Sequence, residues 1–130
     1  MTAEIRVPIS PGELIDKITI LQIKSARMTD AAKVANVRVE LALLEATWRD
    51  SPYSKTDIDA QWAALRRINE KLWDIEDRIR DKERDRRFDE DFIELARAVY
   101  VTNDERAAVK RDINTRLGSK IVEEKSYAQY

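Results

Sequence analysis

From Ile58 to Ile79 an apolar residue returns every three or four positions: Ile58, Trp62, Leu65, Ile68, Leu72, Ile75 and Ile79. That spacing keeps one face of an α-helix apolar for about six turns and does not fit the alternation of a strand. The apolar seam then stops and charge takes over. Between Asp77 and Phe92 only Ile79, Phe88 and Phe92 are uncharged. Two readings of this run stand side by side. Either the helix continues into water on pairs such as Asp81 with Arg84, or a turn lies within Arg86 to Asp89.

The rest of the chain carries the same period. Ser10, Pro11 and Glu13 form a helix start of the capping-box type. Leu14, Ile18, Leu21 and Met28 follow, with Ile15, Ile20 and Ile23 widening the apolar face. Thr29 and Asp30 either cap a second helix or merely bend the first, and a heptad-like seam follows at Val34, Val37, Leu41, Leu44 and Trp48. Ser51 to Ser54 breaks it, and Thr56 or Asp57 starts the third. Phe88, Phe92, Leu95, Val99 and Tyr100 open a fourth helix that Gly118 terminates.

Ahead of the helices, Ile5, Val7 and Ile9 alternate in an arm or edge strand that Pro8 and Pro11 keep out of a sheet centre. After them, SKIVEEKSYAQY reads as an extended strap with Ile121, Val122, Tyr127 and Tyr130 to pack. With 2 Gly and 3 Pro in 130 residues, long helices with short connections are expected. The expected fold is an all-α antiparallel bundle of three or four long helices, a single domain over residues 1–130, with an N-terminal arm and a C-terminal strap. The Trp-bearing seams exceed what one thin bundle encloses, which points to a homo-oligomer such as a dimer.

Composition excludes several function classes. A net charge of −1, with both signs mixed in the charged run, leaves no field for nucleic acid. No Cys means no disulfide, no thiolate nucleophile and no cysteine zinc site. No His removes the commonest general base near neutrality and a common metal ligand. A metal would be held by carboxylates, hence Mg²⁺, Mn²⁺ or Ca²⁺. No leader pattern opens the sequence and no apolar run reaches membrane-spanning length, so a cytoplasmic protein is expected.

The candidate chemistry lies in polar stripes on helical faces. Asn103, Arg106, Lys110 and Asn114 continue the line begun by Phe92 and Val99 on the fourth helix. Asn69, Glu76, Arg80 and Glu83 do the same on the third, and Asp16 and Lys17 sit among the isoleucines of the first. Unpaired burial of such groups is costly, so they pair, reach water or hold a ligand. One reading is a solvated salt-bridge lattice. The other is a mixed-charge cavity between facing helices. There Arg106 and Lys110 receive a phosphate or carboxylate, and Glu76, Asp77 and Glu83 hold a divalent cation or act as bases.

Four strings add a resemblance: VPISPGELIDKITILQIKSAR, INEKLWDIEDRIRDKE, FIELARAVYVTNDERAAVKRDIN and GSKIVEEKSY. Together they resemble a small bacterial family described only as a domain of unknown function, over almost the whole chain apart from Asp30 to Asp59. The positions matching its motifs include Ser10, Glu13, Asp16, Lys17, Asn69, Trp73, Glu76, Asp77, Arg80, Glu83, Asn103, Arg106, Lys110, Asn114, Glu124, Lys125 and Tyr127. The family's association with glycosyltransferase and other surface-polysaccharide genes implies a setting and no reaction. The string ELIDKITILQIKSARM is also similar to the first helix of the all-helical chorismate mutases, but lacks their arrangement of arginines. The paired-acid motifs of all-helical nucleotide pyrophosphatases are not clearly present.

Two functions are therefore expected. One is a non-catalytic ligand- or partner-binding module accessory to bacterial surface-polysaccharide assembly. It needs no cofactor, and its partner is a glycosyltransferase, another glycan-assembly protein or an anionic small molecule. The alternative is a Mg-dependent enzyme acting on a phosphorylated or nucleotide-linked small molecule.

Overall fold

The computed structural model describes residues 3–130. Four helices make up the fold: α1 (Pro11–Arg27), α2 (Ala31–Arg49), α3 (Asp59–Arg84) and α4 (Glu90–Arg116). Among the described residues there is no strand, so the fold is an all-α bundle. Among the described residues no helix is long and apolar enough to cross a membrane.

The helix boundaries follow local chemistry. Ser10 Oγ accepts the Glu13 N–H at 3.2 Å and caps α1. The Glu13 carboxylate turns to Lys110 instead of back to Ser10, so only half of the capping box forms. Asp30 caps α2 by accepting the Lys33 N–H at 3.0 Å. α3 starts at Asp59, slightly later than Thr56 or Asp57, because Ile58 leaves helical geometry to enter the core.

The charged run is helix and then turn. α3 extends to Arg84, and Arg86 takes the left-handed conformation at φ 54°. The Arg86 N–H reaches the Glu83 carbonyl at 3.1 Å and the Arg87 N–H reaches that of Lys82 at 3.0 Å. Gly118, at φ 65°, ends α4 with the same pair of bonds, to Thr115 at 3.2 Å and from Ser119 to Asn114 at 2.9 Å. Both ends are Schellman motifs, but Arg86 holds a conformation that glycine adopts without strain.

Two helical hairpins result, α1 with α2 and α3 with α4. α1 packs against the other three helices, while the α2 backbone approaches only α1. Side chains close the remaining gap: Trp48 of α2 and Trp62 of α3 meet edge to face at 5.7 Å. Beneath them, Ile15, Ile58, Leu65, Ile113 and Leu117 form one buried cluster of the core.

The chain ends behave differently from expectation. Residues 3–10 form no strand, since the described residues offer no partner strand, and Ile5 and Val7 are exposed. The strap does dock, but of its apolar residues only Tyr130 contributes a ring contact, edge to face with Tyr100 at 5.1 Å. Ile121, Val122, Tyr127 and Tyr130 all remain exposed, and charged side chains, with the Tyr130 hydroxyl on Asp104, do most of the holding.

Relief of the strain at Arg86 is directly testable. Arg86→Gly is expected to raise the unfolding free energy in urea by about 1 kcal/mol. Gly118→Ala is expected to lower it by about the same amount. Nothing lies near a Cβ at Gly118, so conformation alone sets the cost there.

Candidate functional site

The site begins where α1 touches α4. The Gly12 N–H donates to Asn114 Oδ1 at 2.7 Å in a buried bond. A Cβ on Gly12 would lie 2.6 Å from the Lys110 carbonyl oxygen and 2.9 Å from Asn114 Oδ1. Only glycine lets the two backbones come this close.

That approach carries the first turn of α1 onto the Lys110 ammonium. Lys110 Nζ lies 2.6 Å from Glu13 Oε2, 3.1 Å from Glu123 Oε2 and 4.0 Å from Asp16 Oδ2. Lys17 stands 3.7 Å from the other Glu13 oxygen. Ser10 Oγ reaches Glu123 at 3.4 Å, tying the strap to the start of α1.

Asp16 also reaches inward. It is 6% exposed, and its Oδ1 accepts from Asn69 Nδ2 at 2.9 Å. The Asn69 amide donates to Thr19 Oγ1 as well, at 3.0 Å, and Thr19 donates to the Asp16 carbonyl at 2.8 Å. Both hydrogen-bonding roles of the Thr19 hydroxyl are thus filled within the α1–α3 contact.

Burial alone would push the Glu13 carboxyl up, but the hydrogen bond and charge of Lys110, with help from Lys17, hold it below the ordinary 4.5. Burial would pull Lys110 down, yet Glu13, Glu123 and Asp16 hold it above the ordinary 10.5. Both groups move away from neutrality and remain charged there.

The sequence-predicted residues divide between separate places. Asp16, Lys17, Asn69, Lys110 and Asn114 come together around the start of α1. Asn103 and Arg106 join Lys110, Arg111 and Asn114 along a groove of about 610 Å³, whose other wall is Val122 to Lys125. Glu76 and Arg80 do not join them. They pair with each other at 3.1 Å on the exposed surface of α3. Asp77 and Glu83 are also exposed, and among the described residues no three acidic side chains gather to hold a metal ion.

The acidic stripe of α3 and the basic stripe of α4 therefore do not face each other. The turn after Arg84 sets an antiparallel register that lays the beginning of α3 beside the end of α4. Gln61 Nε2 accordingly donates to Asp112 at 3.2 Å. The basic end of α4 meets α1 and the strap, a long way along the hairpin from Glu76. A second groove, of about 630 Å³, lies between α3 and α4. Acids and bases share its walls, and it contains none of the predicted site residues.

Gly12, Thr19 and Glu123 were not candidates from the sequence, and Glu13 was read as a cap and a motif-matching position but not as a ligand-binding residue. Gly12 did carry a signal: it is one of two glycines and sits in a helical first turn, where a close backbone approach is a standing explanation. Nothing in the sequence marked Glu123 above its neighbours.

The profile of one protein family, described as a Family of unknown function (DUF6165), matches residues 5–130. The chain belongs to this family. No curated protein and no solved structure matches it. Membership extends over the site and strap alike and assigns neither of them a role.

Two predictions test the site's construction. Gly12→Ala is expected to cost about 2 kcal/mol or more in urea unfolding, because a backbone carbonyl cannot swing aside. Asn69→Ala, which takes the amide away from buried Asp16, is expected to cost about 2–3 kcal/mol.

The pH dependence has a definite sign. Because folding depresses the Glu13 pKa, its contribution is complete above 4.5 and is lost as pH falls through the folded value. Wild type should lose more stability than Glu13→Gln between about pH 6 and about pH 3 in parallel urea titrations.

Proposed function

We infer that the protein is a non-catalytic binding module whose groove between α4 and the strap takes an anionic ligand bearing phosphate or carboxylate. Arg106 carries this reading. It lines the groove, and among the described residues it enters no ion pair. Beside it, Lys110 and Arg111 are paired with Glu13, Glu123 and Glu124. A guanidinium with unused donors in a concave, half-buried setting is suited to bidentate pairing with two oxygens of a carboxylate or phosphate.

The electrostatics favour binding over turnover. A general acid or base works best with a pKa near the working pH, whereas Glu13 and Lys110 are both driven away from it. Such a module needs no cofactor.

The wider setting rests on the family resemblance: a cytoplasmic protein accessory to bacterial surface-polysaccharide assembly, with a glycosyltransferase or another glycan-assembly protein as partner. Homo-oligomerisation has its own support in exposed apolar side chains on two helices, Val39 and Leu43 on α2, and Ile93 and Tyr100 on α4.

The test is thermal unfolding against inorganic pyrophosphate and a panel of nucleotide sugars, with and without Mg²⁺. Saturating ligand is expected to raise the wild-type Tm by several degrees. Arg106→Ala should keep its own Tm but lose the shift. Absence of any shift across the panel would remove the anion site. Mg²⁺-dependent consumption of a nucleotide sugar would replace this reading with the enzymatic one.

A further inference from the structure

Resting on the anion site just described, we propose that the C-terminal strap is an internal competitor for that site. Its own carboxylates occupy the cations, and a ligand must displace them.

The first support is how the strap is held. Glu123 binds Lys110 at 3.1 Å and Glu124 binds Arg111 at 2.8 Å. Arg111 also reaches the Glu123 carbonyl at 3.2 Å. Farther along, Lys125 and the Tyr130 hydroxyl both bind Asp104, at 3.3 and 2.6 Å. Beyond Gly118 the segment has no helix or strand, and Tyr127 is 81% exposed. Apart from the Tyr130 ring, which meets Tyr100 edge to face at 5.1 Å, and the bond of Glu123 to the part-buried Lys110, the strap is held by ion pairs at the surface. Such contacts are individually weak, screened by salt and open to exchange with other anions.

The second support is charge. With the strap in place, five cations around the groove (Lys17, Arg106, Lys110, Arg111 and the strap's own Lys125) meet five carboxylates, on Glu13, Asp16, Asp104, Glu123 and Glu124. The groove is then close to neutral overall. With the strap lifted, Glu123 and Glu124 leave together with Lys125, Lys110 and Arg111 lose their tail carboxylates, and an excess of one positive charge remains. Glu13 and Asp16 keep Lys110 oriented in either state, because both belong to α1. Withdrawal of the tail therefore turns a self-neutralised surface into an anion site without rearranging the helices.

The ordering of the two states also has a structural basis. Asn114 anchors both participants, holding α1 through its side chain and the start of the strap through its carbonyl to the Ser119 N–H. Gly118 supplies the left-handed bend between α4 and the strap. The strap can thus swing from a fixed point while the site behind it stays assembled.

Inorganic pyrophosphate is the probe, titrated by calorimetry into the full-length chain. The Glu123→Gln/Glu124→Gln double variant is expected to bind it about tenfold more tightly than wild type, because the closed state no longer competes. Glu40→Gln/Glu45→Gln, the same change of net charge on the exposed face of α2, should bind as wild type does. The natural chain has no Cys, so Ala128→Cys takes a single spin label. Its signal should pass from slow to fast motion as pyrophosphate saturates.

Equal affinity in wild type and the tail variant, with an unmoved label, would overturn the competing strap and leave the anion site standing. Tighter binding in both double variants alike would reduce the effect to net charge and also overturn it. No binding by any of the three chains would overturn the strap and the anion site together.

Discussion

The contact between Gly12 and Asn114 governs what surrounds it. A helix N-terminus has N–H groups that its own turns cannot satisfy, and α1 places one of them on a side-chain oxygen of α4. The bond needs a close approach, and the approach needs the absence of a Cβ. Once it is made, Glu13 and Asp16 have no choice but to lie near Lys110, and the start of the strap is anchored on the same residue that holds α1. A site built from three separated stretches of chain thus depends on one glycine.

Around that contact, buried polarity does what apolar packing alone cannot. Leucine and isoleucine seams allow helices to slide by a turn with modest change in buried area. The Asp16–Asn69–Thr19 cluster does not, since a one-turn slip would leave a buried carboxylate and amide without partners. The cluster fixes α1 against α3 as Gly12 fixes it against α4. Both register devices lie within the first three turns of α1, the helix that touches all the others.

The site's charges work at two levels of exposure. The Glu13–Lys110 pair is partly buried and tight, and it behaves as part of the framework. The strap pairs are at the surface, where water and salt weaken them. This gradient separates a permanent scaffold from an exchangeable cover. Arg106 lies between the two, in the groove but without a carboxylate of its own.

Helix identity was legible in the amino-acid order because periodicity, caps and breakers are local properties: Ser10, Asp30 and the seam from Ile58 act on residues within a turn or two. The polar character of Asp16, Asn69, Lys110 and Asn114 was legible for the same reason, as departures from an apolar stripe. Their neighbours were not. Glu76 and Arg106 looked like partners because each lies on a polar stripe, but which stripes meet depends on the hairpin register set by the turn at Arg86. The strap's Glu123 was indistinguishable from any surface glutamate until the end of α4 carried it back over Lys110. Local order thus determined the helices and flagged the polar residues within them. Only tertiary packing decided which charges meet, because Coulomb and hydrogen-bond energies depend on distances through space that spacing along the chain does not contain.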